Sequence, residues 1–130
     1  MDRLFLDANV LFSAAYRPDA GLLKLWKLPQ ATLCGSRYAV EEARINLPEE
    51  AQQERLAQIS AHLQLFDVIE QELPPGISLP EKDRPIVLAA VAARATHLLT
   101  GDMRHFGSYL GKKIAGIEVL LPGMYLKERG

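Results

Sequence analysis

EKDRPIVLAAVAARATHLLTGDMRHF, residues 81–106, contains a complete passage from helix to strand with an acid at either end. Asp83 stands at the start of the helix. Ile86, Val87, Ala90, Val91 and Arg94 follow it at helical spacing, and the run is rich in alanine, the strongest helix former. Thr96-His97-Leu98-Leu99-Thr100 then reads as a short buried strand, and Gly101-Asp102 as the sharp turn that closes it. A helix delivering the chain into an apolar strand that ends on an acid is the repeating unit of a parallel α/β sheet.

The same grammar extends outward in both directions. Leu4-Phe5-Leu6 is an apolar run closed by Asp7, as expected of a buried parallel strand handing over to a loop and helix. Asp19 is placed to cap a helix carrying Leu22, Leu23, Leu25, Trp26 and Leu28, which Pro29 ends. Ala31 to Cys34 predicts the next strand. After the turn Gly35-Ser36, Ser36 caps a helix from Arg37 to about Leu47. Pro48 suits the first turn of a further helix to about Leu63, with Leu56, Ile59 and Leu63 as its apolar stripe. Phe66 to Ile69 reads as a short strand, Pro74-Pro75-Gly76 and Pro80 as a connection, and Ile117 to Leu121 as the last strand. Strands alternating with helices predict an α/β sandwich around a mainly parallel sheet, built as one domain over residues 1–130.

Bulk properties fit that expectation. At 48% apolar and 24% charged residues the composition is that of an ordinary globular protein, and 130 residues bury enough surface to need no covalent staple. Cys34 is the single cysteine, so an intrachain disulfide is excluded and a reducing cytoplasm is the expected setting. The start MDRLFLDANV has the pattern of a first strand and not of a signal peptide. No apolar stretch is long enough to cross a bilayer as a helix. The formal net charge of −1 supplies no general attraction for nucleic acid, so a phosphate-binding groove would need basic residues gathered locally.

The acids are the informative residues because of where they fall. Asp7 and Asp102 follow strands, Asp83 begins a helix, and Glu41 and Glu42 lie in the first turns of another. In open α/β sheets, loops beyond the carboxyl ends of strands gather around one crevice, so acids distant in sequence can meet there. Converging carboxylates are the oxygen ligands that magnesium or manganese prefers. Taken singly each acid has an ordinary use: Asp7 and Asp102 in turns, Asp83 as a helix cap, Glu41 or Glu42 as a solvated helix residue. Their ordered placement is what points to a metal site.

At this level the chain resembles the PIN-domain family. FLDANVLFSA at residues 5–14 is similar to the family's first motif, SRYAVEEARINL at 36–47 to its second acidic motif, and the stretch 81–106 to its third and fourth. GIEVLLP at 116–122 resembles the closing strand, so the likeness spans nearly the whole chain. The resemblance implies a three-layer α/β/α sandwich and a nuclease dependent on Mg2+ or Mn2+. It places Asp7, Glu42, Asp83 and Asp102 as the metal-coordinating catalytic acids, with Glu42 favoured over Glu41, and Asn9 and Thr100 as supporting polar residues. It further implies RNA as substrate, endonucleolytic hydrolysis by metal-activated water, and similarity to small VapC-type toxin ribonucleases. Such proteins pair with a cognate antitoxin and often form homodimers.

Lys82, Arg84, Arg104 and His105 flank the late acids and are candidate phosphate contacts. Phe106 is expected to anchor its loop in the core, and Cys34 to be a small buried strand residue. Trp26 is expected to pack either in the core or on a dimer face. The alternative function is a catalytically inactive PIN-like protein that binds RNA or regulates. A phosphatase-like α/β enzyme is disfavoured, since Asp7-Ala8-Asn9 lacks the paired aspartates such enzymes use.

Overall fold

In the computed structural model, which describes residues 1–67 and 72–129, a six-stranded sheet runs through the molecule. The strands are β1 (Asp2–Leu6), β2 (Ala31–Gly35), β3 (Gln64–Leu65), β4 (His97–Leu99), β5 (Lys113–Ile114) and β6 (Ile117–Leu120). Their spatial order is β3-β2-β1-β4-β6-β5, and every pairing is parallel except the antiparallel β5–β6 edge. The helices are α1 (Ala8–Tyr16), α2 (Arg37–Asn46), α3 (Glu50–Ser60), α4 (Arg84–Ala92), α5 (Met103–Phe106) and α6 (Pro122–Arg129). The mixed α/β architecture with a mainly parallel sheet is the one expected from the sequence.

From β1 the chain steps outward to β2 and β3, then returns across β1 to lay down β4 and β6 on its other side. Parallel crossovers are right-handed, so reversing the direction of travel changes the face of the sheet that the connections cover. The reversal lies between β1 and β4, which pair directly from Leu4–His97 to Leu6–Leu99. Their carboxyl ends therefore open a crevice at the switch point, with Asp7 and Thr100 as the next residues.

Apolar runs buried on both faces hold this frame together. Leu4, Phe5, Leu6, Leu98 and Leu99 are almost wholly inaccessible, and Phe106 anchors the turn after β4 as expected. Cys34 is buried in β2. Trp26 packs against the chain's own core, and its indole N–H donates to the carbonyl of Ile59 at 2.9 Å.

Several local expectations are corrected. Residues Gly21–Lys27 form a 3-10 helix that begins after Ala20, and Asp19 makes no cap. It lies 4.0 Å from Arg17 instead. Pro48 precedes its helix, because a capping box between Glu49 and Gln52 starts α3 at Glu50. The strand expected over Phe66 to Ile69 is the two-residue β3 just before it, and positions 68–71 lie outside the described residues. A 3-10 turn, Glu81–Asp83, precedes α4. The last strand ends at Leu120, and Pro122 begins α6, an element not expected from the sequence.

Leu6 packs in the layer directly beneath the crevice. Leu6→Ala is expected to lower stability by about 2–5 kcal/mol, since the rigid parallel frame cannot close the cavity it leaves. Urea unfolding followed by circular dichroism measures the change, and a loss below 1 kcal/mol would contradict this account of the core.

Candidate metal centre

Asp7, Glu42, Asp83 and Asp102 line one cavity of about 550 Å³ at the switch point, together with Asn9, Asn46 and Lys82. Each acid arrives on a different element, and local chain geometry accounts for its position.

Asp7 is the N-cap of α1. Its carboxylate accepts from the Ala8 N–H at 2.7 Å and from the Thr100 hydroxyl at 2.8 Å, the latter bond tying the end of β1 to the end of β4. Asn9 Nδ2 adds a longer bond to Asp7 Oδ2 at 3.2 Å. Its Oδ1 accepts from the Gly101 N–H at 2.7 Å. A side chain at position 101 would press on that amide, its Cβ falling 3.2 Å from Asn9 Oδ1. The fully buried Thr100 hydroxyl in turn accepts from the Asp102 N–H at 3.0 Å. One small network of hydroxyl, amide and carboxylate thus fixes Asp7 against the turn carrying Asp102.

Asp102 caps the short α5, accepting through Oδ1 from the backbone of Arg104 and His105. Asp83 is different. It occupies the N-cap position of α4, yet its side chain makes no capping bond. Its residue is only 7% exposed. His105 Nδ1 lies 2.8 Å from Asp83 Oδ2 and 2.9 Å from Asp102 Oδ2, at ion-pair distance. The geometry is not that of a donated hydrogen bond, and both Asp83 Oδ2 and His105 Nδ1 are buried without a hydrogen-bond partner.

The two glutamates separate cleanly. Glu42 is half-buried on the cavity wall, whereas Glu41 is solvent-exposed and held in an ion pair by Arg44 three residues on. The flanking cations also divide. Lys82 lines the cavity. Arg84 lies along a separate depression beside Leu73, Pro74 and Pro75. Arg104 is exposed to solvent, and the His105 ring sits between two carboxylates.

Burial sets the electrostatics. Desolvation pushes the Asp7 carboxyl up to about 6, against the hydrogen bonds from Thr100 and Ala8, and the charges of Asp83 and Glu42 push it the same way. Burial likewise raises Asp83, with His105 opposing and Asp102 reinforcing the rise. Carboxylates held together at such expense fit a hard divalent cation. Asp83 Oδ2, buried with no donor, is the atom that most needs one, and Asp83, Asp102 and His105 bring ligand atoms within 4.8 Å of one another.

Two contributors escaped the sequence reading. The Tyr38 hydroxyl donates to the Lys82 carbonyl at 3.0 Å, bracing α2 against the turn before Asp83. Asn46 lines the cavity one turn beyond Glu42. Tyr38, Glu42 and Asn46 recur every fourth residue, so the helical face was present in the sequence as a spacing.

Fold and cleft define an α/β protein with a carboxylate-lined crevice at its switch point. The PIN domain model matches residues 3–104, and the chain belongs to the PIN-domain family. Among solved structures it is similar to VapBC2 from Rickettsia felis, in a structure bound to a DNA fragment from their promoter. The two are 20% identical with a TM-score of 0.65, over 90% of this chain and 96% of that one. VapBC-1 from nontypeable Haemophilus influenzae aligns over 93% of this chain and 98% of that one, with 14% identity and a TM-score of 0.59. FitAcB from Neisseria gonorrhoeae shares 19% identity over 92% and 98% of the two chains, with a TM-score of 0.51. These likenesses establish the fold. No curated protein matches the chain.

Two measurements test the network. Thr100→Val removes the hydroxyl that serves Asp7 and Asp102, and is expected to cost about 1–3 kcal/mol. It should also weaken Mn2+ binding by calorimetry, with Thr100→Ser restoring most of both. A raised carboxyl means that the folded chain holds the Asp7 proton longer than the unfolded one. Its contribution to stability is therefore full below the ordinary value of 3.8 and lost as pH rises through about 6, to the extent of about 3 kcal/mol. The melting temperature in chelator should fall between pH 5 and 7.5, and Mn2+ should recover more of it at 7.5 than at 5. Equal recovery at both values would contradict the assignment.

Proposed function

We propose that the chain is a divalent-metal-dependent ribonuclease that hydrolyses RNA phosphodiester bonds, acting as an endonuclease. Family membership supports nuclease chemistry in general, since PIN domains are typically nucleases. The observation that carries the reading for this chain is Asp83. A carboxylate that caps nothing, is 7% exposed and keeps one oxygen without a donor is a costly residue for a purely structural role.

Asp7, Glu42, Asp83 and Asp102 would hold Mg2+ or Mn2+. The nitrogen of His105 lies beside two of them, within reach of the same ion. When bound, such a cation supplies positive charge against the phosphoryl oxygens and makes water acidic enough to attack phosphorus near neutral pH. The chain's own residues do the rest. Thr100 and Asn9 hold one oxygen of Asp7 and the Ala8 N–H holds the other, so the carboxylate keeps one orientation toward the cavity. Asp102 is fixed by two backbone N–H groups. Lys82 on the rim supplies a positive contact for a phosphate beside the four acids. Arg104 is exposed outside the cavity lining and Arg84 faces its own depression, so Lys82 is the flanking cation given this role.

The solved structures of VapBC and FitAB complexes support an antitoxin partner and hence a place in a toxin–antitoxin pair. Homodimer formation and a cytoplasmic setting belong to the same reading. No described helix is long and apolar enough to cross a membrane.

End-labelled single-stranded and structured RNAs, incubated with Mg2+ or Mn2+, test the proposal. Cleavage is expected, and Asp83→Asn or chelator should reduce it by at least about a hundredfold. Folded, metal-binding protein that leaves the whole panel intact would instead favour the RNA-binding or regulatory alternative.

A further inference from the structure

Helix α1 has two faces of opposite character. Val10, Leu11, Ala14 and Ala15 are buried in the core. Asn9, Phe12, Ser13, Tyr16 and the C-capping Arg17 follow the intervals of three and four that define the other face. Along it the surface is continuous. Asn9 and Phe12 belong to the acidic cavity. Phe12, Ser13, Tyr16 and Arg17 line a shallow depression next to it. Ser13 and Arg17 continue into a groove of about 800 Å³ that is walled by Lys24, Lys27 and Lys127.

That groove gathers four of the chain's 15 lysines and arginines and has no acidic side chain in its lining. Asp19 does approach Arg17, at 4.0 Å, but both side chains are well exposed and water screens the pair. In a chain of net charge −1 this is a strong local excess. Between groove and cavity stand two aromatic rings. Phe12 and Tyr16 lie 5.4 Å apart, with Tyr16 47% exposed and Phe12 seated against the core. A basic groove leading over aromatic faces is the arrangement that holds unpaired nucleotides: cations track the phosphates and bases stack on the rings. A duplex keeps its bases stacked on one another and could not use the rings. An acidic peptide would be drawn to the groove by charge but brings no run of planar bases to stack on the two rings.

We infer that the α1 face and the Arg17–Lys24–Lys27–Lys127 groove form a binding path for single-stranded RNA running away from the acidic cavity. From Asn9 to the C-capping Arg17 the face covers about 12 Å, enough for a strand to clear the acids before meeting the cations. The inference rests on the ribonuclease reading for the identity of the strand. It also explains how a chain of slightly acidic net charge can hold a polyanion beside four carboxylates.

Fluorescently end-labelled oligouridine is the probe. Its affinity is read by anisotropy across a salt series, on the cleavage-deficient Asp83→Asn protein with magnesium present. Replacing Lys24, Lys27 and Lys127 together by Gln should weaken binding roughly tenfold or more and lower the slope of log affinity against log salt by about 2. Tyr16→Ala should weaken it about tenfold with little change in slope. Lys112→Gln with Lys113→Gln, outside the path, should change neither. Circular dichroism melts establish that each variant is folded.

Unchanged affinity and slope in the triple variant would overturn the path, as would absence of oligouridine binding by the parent at low salt. Unchanged RNA binding with altered self-association would overturn it too, and would assign the groove to a second copy of the chain. Cleavage by the wild-type protein is scored separately. Cleavage without groove-dependent binding removes the path and leaves the nuclease, whereas groove-dependent binding without cleavage does the reverse.

Discussion

The Thr100 hydroxyl donates to the buried carboxylate of Asp7 across the ends of β1 and β4, and the cleft is organised around that bond. It can form only because these two strands are neighbours, and they are neighbours only because the sheet reverses its order between them. The hydroxyl also accepts the Asp102 N–H, so one oxygen sets the spacing of two acids that are far apart in sequence. A buried carboxylate next to other carboxylates is unfavourable by itself. The packing of β1 and β4 offsets that cost, and this is how a site can be strained while its frame is not. Asn9 closes the same corner from the α1 side through Gly101, where the nearness of its amide disfavours a side chain.

The sequence was most legible where burial on both faces writes an unbroken apolar run. Leu4-Phe5-Leu6 and Leu98-Leu99 could be read as strands because few other structures bury such short apolar runs before a polar residue. The two-residue strands β3 and β5 have no such signature; they exist by pairing with β2 and β6, and pairing is a property of the folded chain. Proline lacks an N–H, which the first turn of a helix does not use, so it can stand before a helix or begin one: Pro48, expected in a first turn, stands before α3, and Pro122, which follows the last strand as expected, also begins α6. Residues 21–27 are apolar at helical spacing, but Gly21 and the lack of a side-chain cap leave a tighter 3-10 segment.

At the cleft, the acids were legible because strand ends and helix starts can be located from pattern, and a topological rule says where those places meet. What pattern could not supply was direction. Glu41 and Glu42 are adjacent in sequence and nearly a third of a helical turn apart in space, and only the packing of α2 decides that Glu41 faces Arg44 and solvent. His105 was read as a cation beside a phosphate. Its ring instead stands between Asp83 and Asp102, a placement set by the short α5 that Asp102 itself caps. Arg84 was grouped with the cleft cations by proximity in sequence, and the turn of α4 carries it elsewhere.

Charge is distributed by the same logic. Four carboxylates around one cavity create a potential that repels any polyanion, and net charge near zero gives no compensating attraction at long range. Lys82 is the cation in the cavity lining, so further attraction must come from beyond the rim. The solvent face of α1 leads there because its inner face is committed to the core, where Val10, Leu11, Ala14 and Ala15 are buried. A helix so fixed holds its outer residues in fixed register. Asn9 therefore braces Asp7 at one end of the face while Arg17 enters the basic groove at the other. One rigid element thus connects the acidic centre with the positive charge needed to balance it.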